Sequence, residues 1–122
     1  MGNRFPSSAF LGTGLGLGAA IWWLSPWITG HAEPWDDGRP WWTISWAVVA
    51  LAGGASGRAR GALLPVGYAL GQMLVTVRSV TGEFGVLGWL FIGAFGAGAT
   101  LGALAIAGLV SIFARLRHNP PR

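Results

Sequence analysis

The sequence has no cysteine and no lysine, and only 4 of its 122 residues are acidic. Without cysteine, disulfides, thiolate catalysis and Cys-ligated metal sites are excluded. Charged residues make up only 10% of the chain, whereas a soluble globular domain has about 25%. The chain therefore has too few charged side chains to cover a water-facing surface, and the composition indicates a membrane environment.

What the sequence does have is long stretches without any charge, and these predict its helices. The stretches cover residues 5–30, 40–57, 61–77 and 84–114. A helix needs about 20 apolar residues, with a range of roughly 17–25, to cross the hydrocarbon core. We therefore predict an all-α integral membrane protein: a single domain over residues 1–122, forming a compact bundle of four transmembrane helices. The predicted spans are residues 8–28, 41–56, 62–77 and 85–113.

One other topology is compatible with these runs, because the middle two are short. It has two full spans, and residues 40–77 form a re-entrant hairpin between them. This arrangement would place Arg58 and Arg60 inside the membrane, where each costs at least about 2.5 kcal/mol. We favour four spans and leave the hairpin open.

The basic residues predict the orientation, because six of the eight arginines fall in the N-terminus, the second loop and the C-terminus. By the positive-inside rule both termini should face the cytoplasm. We expect four of these arginines to anchor the inner interface, close to anionic lipid headgroups: Arg58, Arg60, Arg115 and Arg117. No basic stripe is interleaved with exposed aromatic residues, so no nucleic-acid partner is expected.

Tryptophan and glycine mark candidate interface and packing positions. Tryptophans cluster at the predicted outer ends of the first two spans, which predicts an aromatic belt: Trp22, Trp23, Trp27, Trp41, Trp42 and Trp46. Glycines let neighbouring membrane helices approach closely, and we predict packing roles for Gly12, Gly16, Gly67, Gly71, Gly93, Gly98 and Gly102. Gly14 and Gly18 lie on a second face of the first span, so this helix is expected to have neighbours on two sides.

Polar side chains recur every four residues in the third span, at Tyr68, Gln72 and Thr76. This spacing places them on one face of a helix. A buried amide in a membrane must find hydrogen-bond partners, and we predict that the three side chains join this helix to its neighbours. The alternative is a polar pathway through the bundle. No acidic, basic or histidine side chain lies within a predicted span, which argues against proton-coupled transport.

The loop after the first span concentrates charge, with His31, Glu33, Asp36 and Asp37 close together in sequence. Oxygen ligands with one imidazole would suit a divalent cation. The spacing matches no EF-hand or zinc-helix motif, and Asp37-Gly38 is typical of a turn. We favour a rigid outer cap without a metal ion.

The run Ser25-Pro-Trp-Ile-Thr-Gly-His-Ala-Glu-Pro-Trp-Asp-Asp37 resembles a segment of small, uncharacterised bacterial membrane proteins of about this length, over roughly residues 20–75. The resemblance implies a bacterial inner-membrane setting and carries no activity. We expect no enzymatic role and no cofactor. The function we predict is that of an accessory packing partner in a homo-oligomer or with other membrane subunits. The alternative is a small channel or facilitator.

Overall fold

The computed structural model describes residues 5–31, 33–34, 38–79, 84–119 and 121–122, and it consists of four helices. Their bounds are Ser7–Thr29 (α1), Trp41–Gly54 (α2), Leu63–Ser79 (α3) and Phe84–His118 (α4). A short 3₁₀ turn, Ala59–Ala62, precedes α3. The described residues contain no strand, so the predicted all-α fold is confirmed.

Proline and glycine define the helix ends. Pro6 stands directly before α1 and Pro40 directly before α2, where the missing N–H is not needed. After α1, Gly30 has a φ of 76° and donates its N–H to the carbonyl of Pro26, a left-handed C-cap that favours glycine. The first three helices end within two residues of the predicted spans. By contrast, α4 continues five residues beyond the predicted end at 113.

The first and third helices run parallel and approach very closely. A Cβ on Gly14 would overlap the carbonyl oxygen of Leu64, and one on Gly18 would overlap that of Tyr68. A step of four residues along α1 thus matches a step of four residues in the same direction along α3, as expected for parallel helices. The third helix also contacts α2 and α4, which makes it the central helix of the bundle.

The second and fourth helices also run parallel to each other. Gly96 lies near the Trp46 ring, Gly54 packs against Ile106, and Gly57, in the turn after α2, reaches Val110. Beyond Val110, α4 continues to His118 and all but one of its remaining residues are exposed. Eight residues at 1.5 Å each extend about 12 Å. The fourth helix therefore protrudes from the bundle at the end where the turn between α2 and α3 lies, which contains Arg58 and Arg60 and is called the Arg-containing turn below.

In the part of the chain that the structure describes, two helices are long and apolar enough to cross a membrane: Ser7–Thr29, and the segment Val86–His118 of α4. The helix Trp41–Gly54 is apolar but shorter. Its 14 residues span about 21 Å, less than the hydrocarbon thickness of about 30 Å. By length and composition, α1 and α4 are therefore candidate membrane spans.

Candidate functional site

The polar face of α3 lies at the centre of the bundle. Exposure is 2% for Tyr68, 0% for Gln72 and 1% for Thr76. The helix positions them because residues four apart lie above one another on one face, and that face is enclosed by the other three helices. These side chains therefore must be satisfied inside the protein.

Gln72 joins α3 to two other helices through one atom. Its Oε1 accepts hydrogen bonds from the indole Nε1 of Trp22 in α1, at 2.9 Å, and of Trp42 in α2, at 3.0 Å. An indole N–H can only donate, so the atom shared by the two rings must be the amide oxygen. The two donors thus fix the orientation of the amide and link three helices at one point.

The amide nitrogen of Gln72 lies on the other side of this junction. Within the described part of the chain, Nε2 is buried and has no hydrogen-bond partner. The indole Nε1 of Trp46 is likewise buried without a partner there. The centre of the bundle therefore holds spare donors whose natural complement is a hydrogen-bond acceptor.

Tyr68 and Thr76 connect α3 to the remaining helices. The Tyr68 hydroxyl lies 2.7 Å from Ser45 Oγ in α2. The Trp89 indole of α4 donates to Thr76 Oγ1 at 2.9 Å, and that hydroxyl donates to the carbonyl of Met73, also at 2.9 Å. All three polar side chains of α3 thus make a hydrogen bond to a neighbouring helix.

The tryptophans predicted to form a belt divide into two groups. Trp22, Trp42 and Trp46 are 4%, 5% and 2% exposed, respectively, so their rings lie inside the bundle and not at its perimeter. Trp46 packs edge-on against Tyr68 with ring centroids 4.6 Å apart. Trp23 and Trp27 are 80% and 85% exposed, and Trp41 is intermediate. The outward orientation needed for a membrane belt is thus found at Trp23 and Trp27.

The glycines predicted to pack also fall into separate groups. Gly67 and Gly71 lie against the carbonyls of Leu11 and Leu15 in α1. The glycines of α1 that face α3 are Gly14 and Gly18, which form the second of the two faces considered from the sequence. At three other glycines predicted for packing, an added Cβ would meet nothing within 4 Å: Gly12, Gly16 and Gly98. At Gly93 and Gly102 it would make only ordinary contacts, with Met73 and Ala50. That the outward-facing glycines pack against other chains stays a prediction.

The structure describes half of the predicted cation site. His31 is exposed and Glu33 is half-buried, whereas Asp36 and Asp37 lie outside the described residues. No group of three metal-ligating side chains occurs in the described ranges. Ser25, fully buried, donates to the main-chain carbonyl of His31 at 2.9 Å, and Thr29 Oγ1 accepts from the His31 N–H at 3.0 Å. These bonds secure the chain as it leaves α1, and the rigid outer cap stays a prediction.

The four predicted anchor arginines lie at one end of the molecule. Arg58 directly precedes the 3₁₀ turn and Arg60 lies within it, and this turn packs against α4. Arg115 and Arg117 lie on the protruding end of α4. Arg60 is half-buried and the other three are exposed. The chain has no acidic residue after Glu83 or between Asp37 and Glu83, so this end carries unbalanced positive charge.

Comparison of the chain with protein-family models, with curated proteins and with solved structures gives no match. Two contributors to the central site were not predicted from the sequence, Ser45 and Trp89. Ser45 lies one helical turn after Trp41. A polar residue in this apolar helix could have indicated a hydrogen bond to a neighbouring helix. For Trp89 nothing in the local sequence indicates Thr76 as its partner.

Proposed function

We propose that this chain is a four-span membrane protein of a bacterial inner membrane, acting as an accessory packing partner in a homo-oligomer or a larger membrane complex. The observation that carries the proposal is the use of the α3 polar face. Tyr68, Gln72 and Thr76 are buried and make hydrogen bonds to other helices. Polar groups used in this way hold a bundle together.

The outer surface supports the same proposal. Open apolar grooves of about 450 Å³ each lie on both sides of α4, one against α2 and one against α3. Small residues border both grooves, and Gly98 in the first of them meets no other atom. Surfaces with small residues are those on which membrane helices associate.

The placement of the Arg-containing turn supports four spans over the re-entrant hairpin. Gly57 contacts Val110, which is only five residues before Arg115. Five residues of helix extend about 7.5 Å, so Arg58 lies close to the level of the charged end of α4. A turn at this level belongs at the inner interface, and α2 and α3 would then cross the membrane with both termini cytoplasmic.

The test is the native mass of the protein extracted from its own membrane in a mild detergent, with a variant that changes only the outer surface. We expect a homo-oligomer or a complex with other polypeptides, and we expect Gly98→Leu to weaken it without unfolding the bundle. The matched control is Gly108→Leu, which is also exposed on α4 with nothing within 4 Å of an added Cβ but lines neither groove, and it should leave the assembly intact. A monomer without partners would contradict the proposal.

The second candidate is a small channel or facilitator, and one observation favours it: the unpartnered amide nitrogen of Gln72, buried at the bundle centre. A donor at this place suits a passing water or neutral solute. In reconstituted vesicles, Gln72→Leu or Asp36 and Asp37→Asn should then lower the flux. Vesicles without flux for simple ions and small neutral solutes would rule this candidate out.

A further inference from the structure

The face of α4 that packs on the bundle continues past the end of the bundle. Ala99, Ala103 and Ala107 are buried, and Val110, Ala114 and Arg117 follow at the same helical spacing. Beyond Val110 no described element covers this face. There it forms one wall of an open groove of about 580 Å³, lined by Val110, Phe113, Ala114, Arg117 and His118.

We propose that this groove is a binding site for an anionic phospholipid of the inner leaflet, with the phosphate at Arg117 and His118 and the apolar part against Phe113 and Val110. The inference rests on the membrane placement in the proposed function.

The order of residues along the groove matches the order of groups in such a lipid. Val110 lies at the level of the turn after α2, nearest the membrane, and Phe113 follows at 64% exposure. Arg117 and His118 come last, farthest from the bundle. An inner-leaflet phospholipid presents its acyl chains, glycerol and phosphate in the same direction, from membrane to cytoplasm.

The unbalanced positive charge at this end of the molecule favours the binding of an anion. Arg117 makes no hydrogen bond or ion pair with the described part of the chain, and no acidic residue follows Glu83 in the sequence. The turn between α2 and α3, which contacts Val110 through Gly57 and packs against α4, carries two more arginines, Arg58 and Arg60. Guanidinium groups bind phosphate oxygens through paired N–H donors, and juxtamembrane arginines attract anionic lipids.

The same charges disfavour a second copy of this chain as the occupant. Two α4 ends packed side by side through Phe113 would bring Arg115 and Arg117 of both chains together without any acidic partner. Like charges in such an interface are destabilising. An anionic lipid instead neutralises the arginines and covers the apolar wall.

The experiment titrates the full-length protein in detergent micelles with phosphatidylglycerol or phosphatidylcholine and counts bound lipids by native mass spectrometry. We expect phosphatidylglycerol to bind in preference, and Arg117→Gln to weaken it about five-fold, as ~1 kcal/mol per arginine implies. The matched control Arg122→Gln removes the same charge outside α4 and should have less than half of this effect. Arg117→Lys should retain part of the binding.

Three results would overturn the proposal: equal binding of the two lipids, equal losses in Arg117→Gln and Arg122→Gln, or displacement of the lipid by glycerol phosphate at a similar concentration. The last would show that the groove recognises a free phosphate without a lipid. Arg117 is exposed beyond the bundle, and circular dichroism should confirm an unchanged helix content in each variant. Lipid binding can be measured whatever the oligomeric state of the protein. The lipid proposal can therefore fail while the packing function holds, and the packing function can fail while the lipid proposal holds.

Discussion

Gly14 of α1 and Gly67 of α3 face each other where the two helices are closest, such that a methyl group on Gly14 would lie 3.1 Å from the Cα of Gly67. One turn further along, a Cβ on Gly18 would overlap the carbonyl oxygen of Tyr68, and one on Gly71 would overlap that of Leu15. Each helix thus presents two glycines spaced four apart to the backbone of the other. Such contact gives close van der Waals packing that lipid chains cannot replace.

The first prediction compares the same change on two faces of α1. Gly18→Ala places a methyl group into the Tyr68 carbonyl and should destabilise the protein by about 1–3 kcal/mol, the usual range for overpacking. Gly16→Ala is the control, because a Cβ there meets nothing within 4 Å and alanine favours a helix. Unfolding in mixed detergent, followed by circular dichroism, measures both. Equal effects would mean that the α1–α3 contact is not as close as described.

Gln72→Leu should be the most damaging single change at the polar face. Leucine has a similar volume but leaves the indole N–H groups of Trp22 and Trp42 without their shared acceptor, and each buried unsatisfied donor costs about 1–3 kcal/mol. Loss of the unpartnered Nε2 of Gln72 offsets only one such cost. Trp22→Phe removes one donor and leaves the Gln72 oxygen paired to Trp42, so it should lose less through hydrogen bonding. Unfolding in detergent gives the free energy of unfolding of both variants. The further variant Trp22→Leu measures how much stability is lost with the ring packing, so that this loss can be subtracted. A Gln72→Leu protein as stable as the wild type would contradict this junction.

The α3–α4 hydrogen bond offers a smaller and separable effect. Thr76→Val and Trp89→Phe each remove one partner of the 2.9 Å bond, and the double variant removes both. Hydrogen bonds between membrane helices average about 0.6 kcal/mol in such cycles. We expect a coupling energy near that value from the four unfolding curves. A coupling energy indistinguishable from zero would mean that the two side chains act independently.

The positions of the helices were accessible from the sequence because charge is excluded from apolar spans, and each charge-free run holds all or most of one helix, although α3 and α4 continue past the ends of their runs. The spacing of Tyr68, Gln72 and Thr76 also placed them on one face. The choice between glycine faces on α1 was not accessible. Gly12 with Gly16 and Gly14 with Gly18 have the same spacing, and only the partner helix distinguishes them.

The tryptophans show a second limit of the sequence. A tryptophan near the end of a span has the same local signal whether its ring faces lipid or the core, because the indole is both apolar and a donor. Trp22 and Trp23 are adjacent, yet one is 4% and the other 80% exposed. The acceptor that draws Trp22 inward is Gln72, 50 residues away in the chain.

The absence of cysteine makes the topology directly measurable with single-cysteine variants. Ala59→Cys lies in the turn between α2 and α3, Gly38→Cys lies before α2, and Arg122→Cys marks the C-terminus; all three sites are exposed. With four spans and cytoplasmic termini, a membrane-impermeant maleimide should label Gly38→Cys in intact membranes. It should label Ala59→Cys and Arg122→Cys only after the inner side is opened.

The unlabelled wild type is the built-in control, since it has no thiol. The re-entrant hairpin gives a different pattern, because residue 59 would then lie at the tip of a loop within the membrane. Ala59→Cys would stay unlabelled from both sides until detergent dissolves the bilayer, while Arg122→Cys would still react from the inner side. Labelling of Ala59→Cys together with Gly38→Cys in intact membranes would instead rule out both topologies.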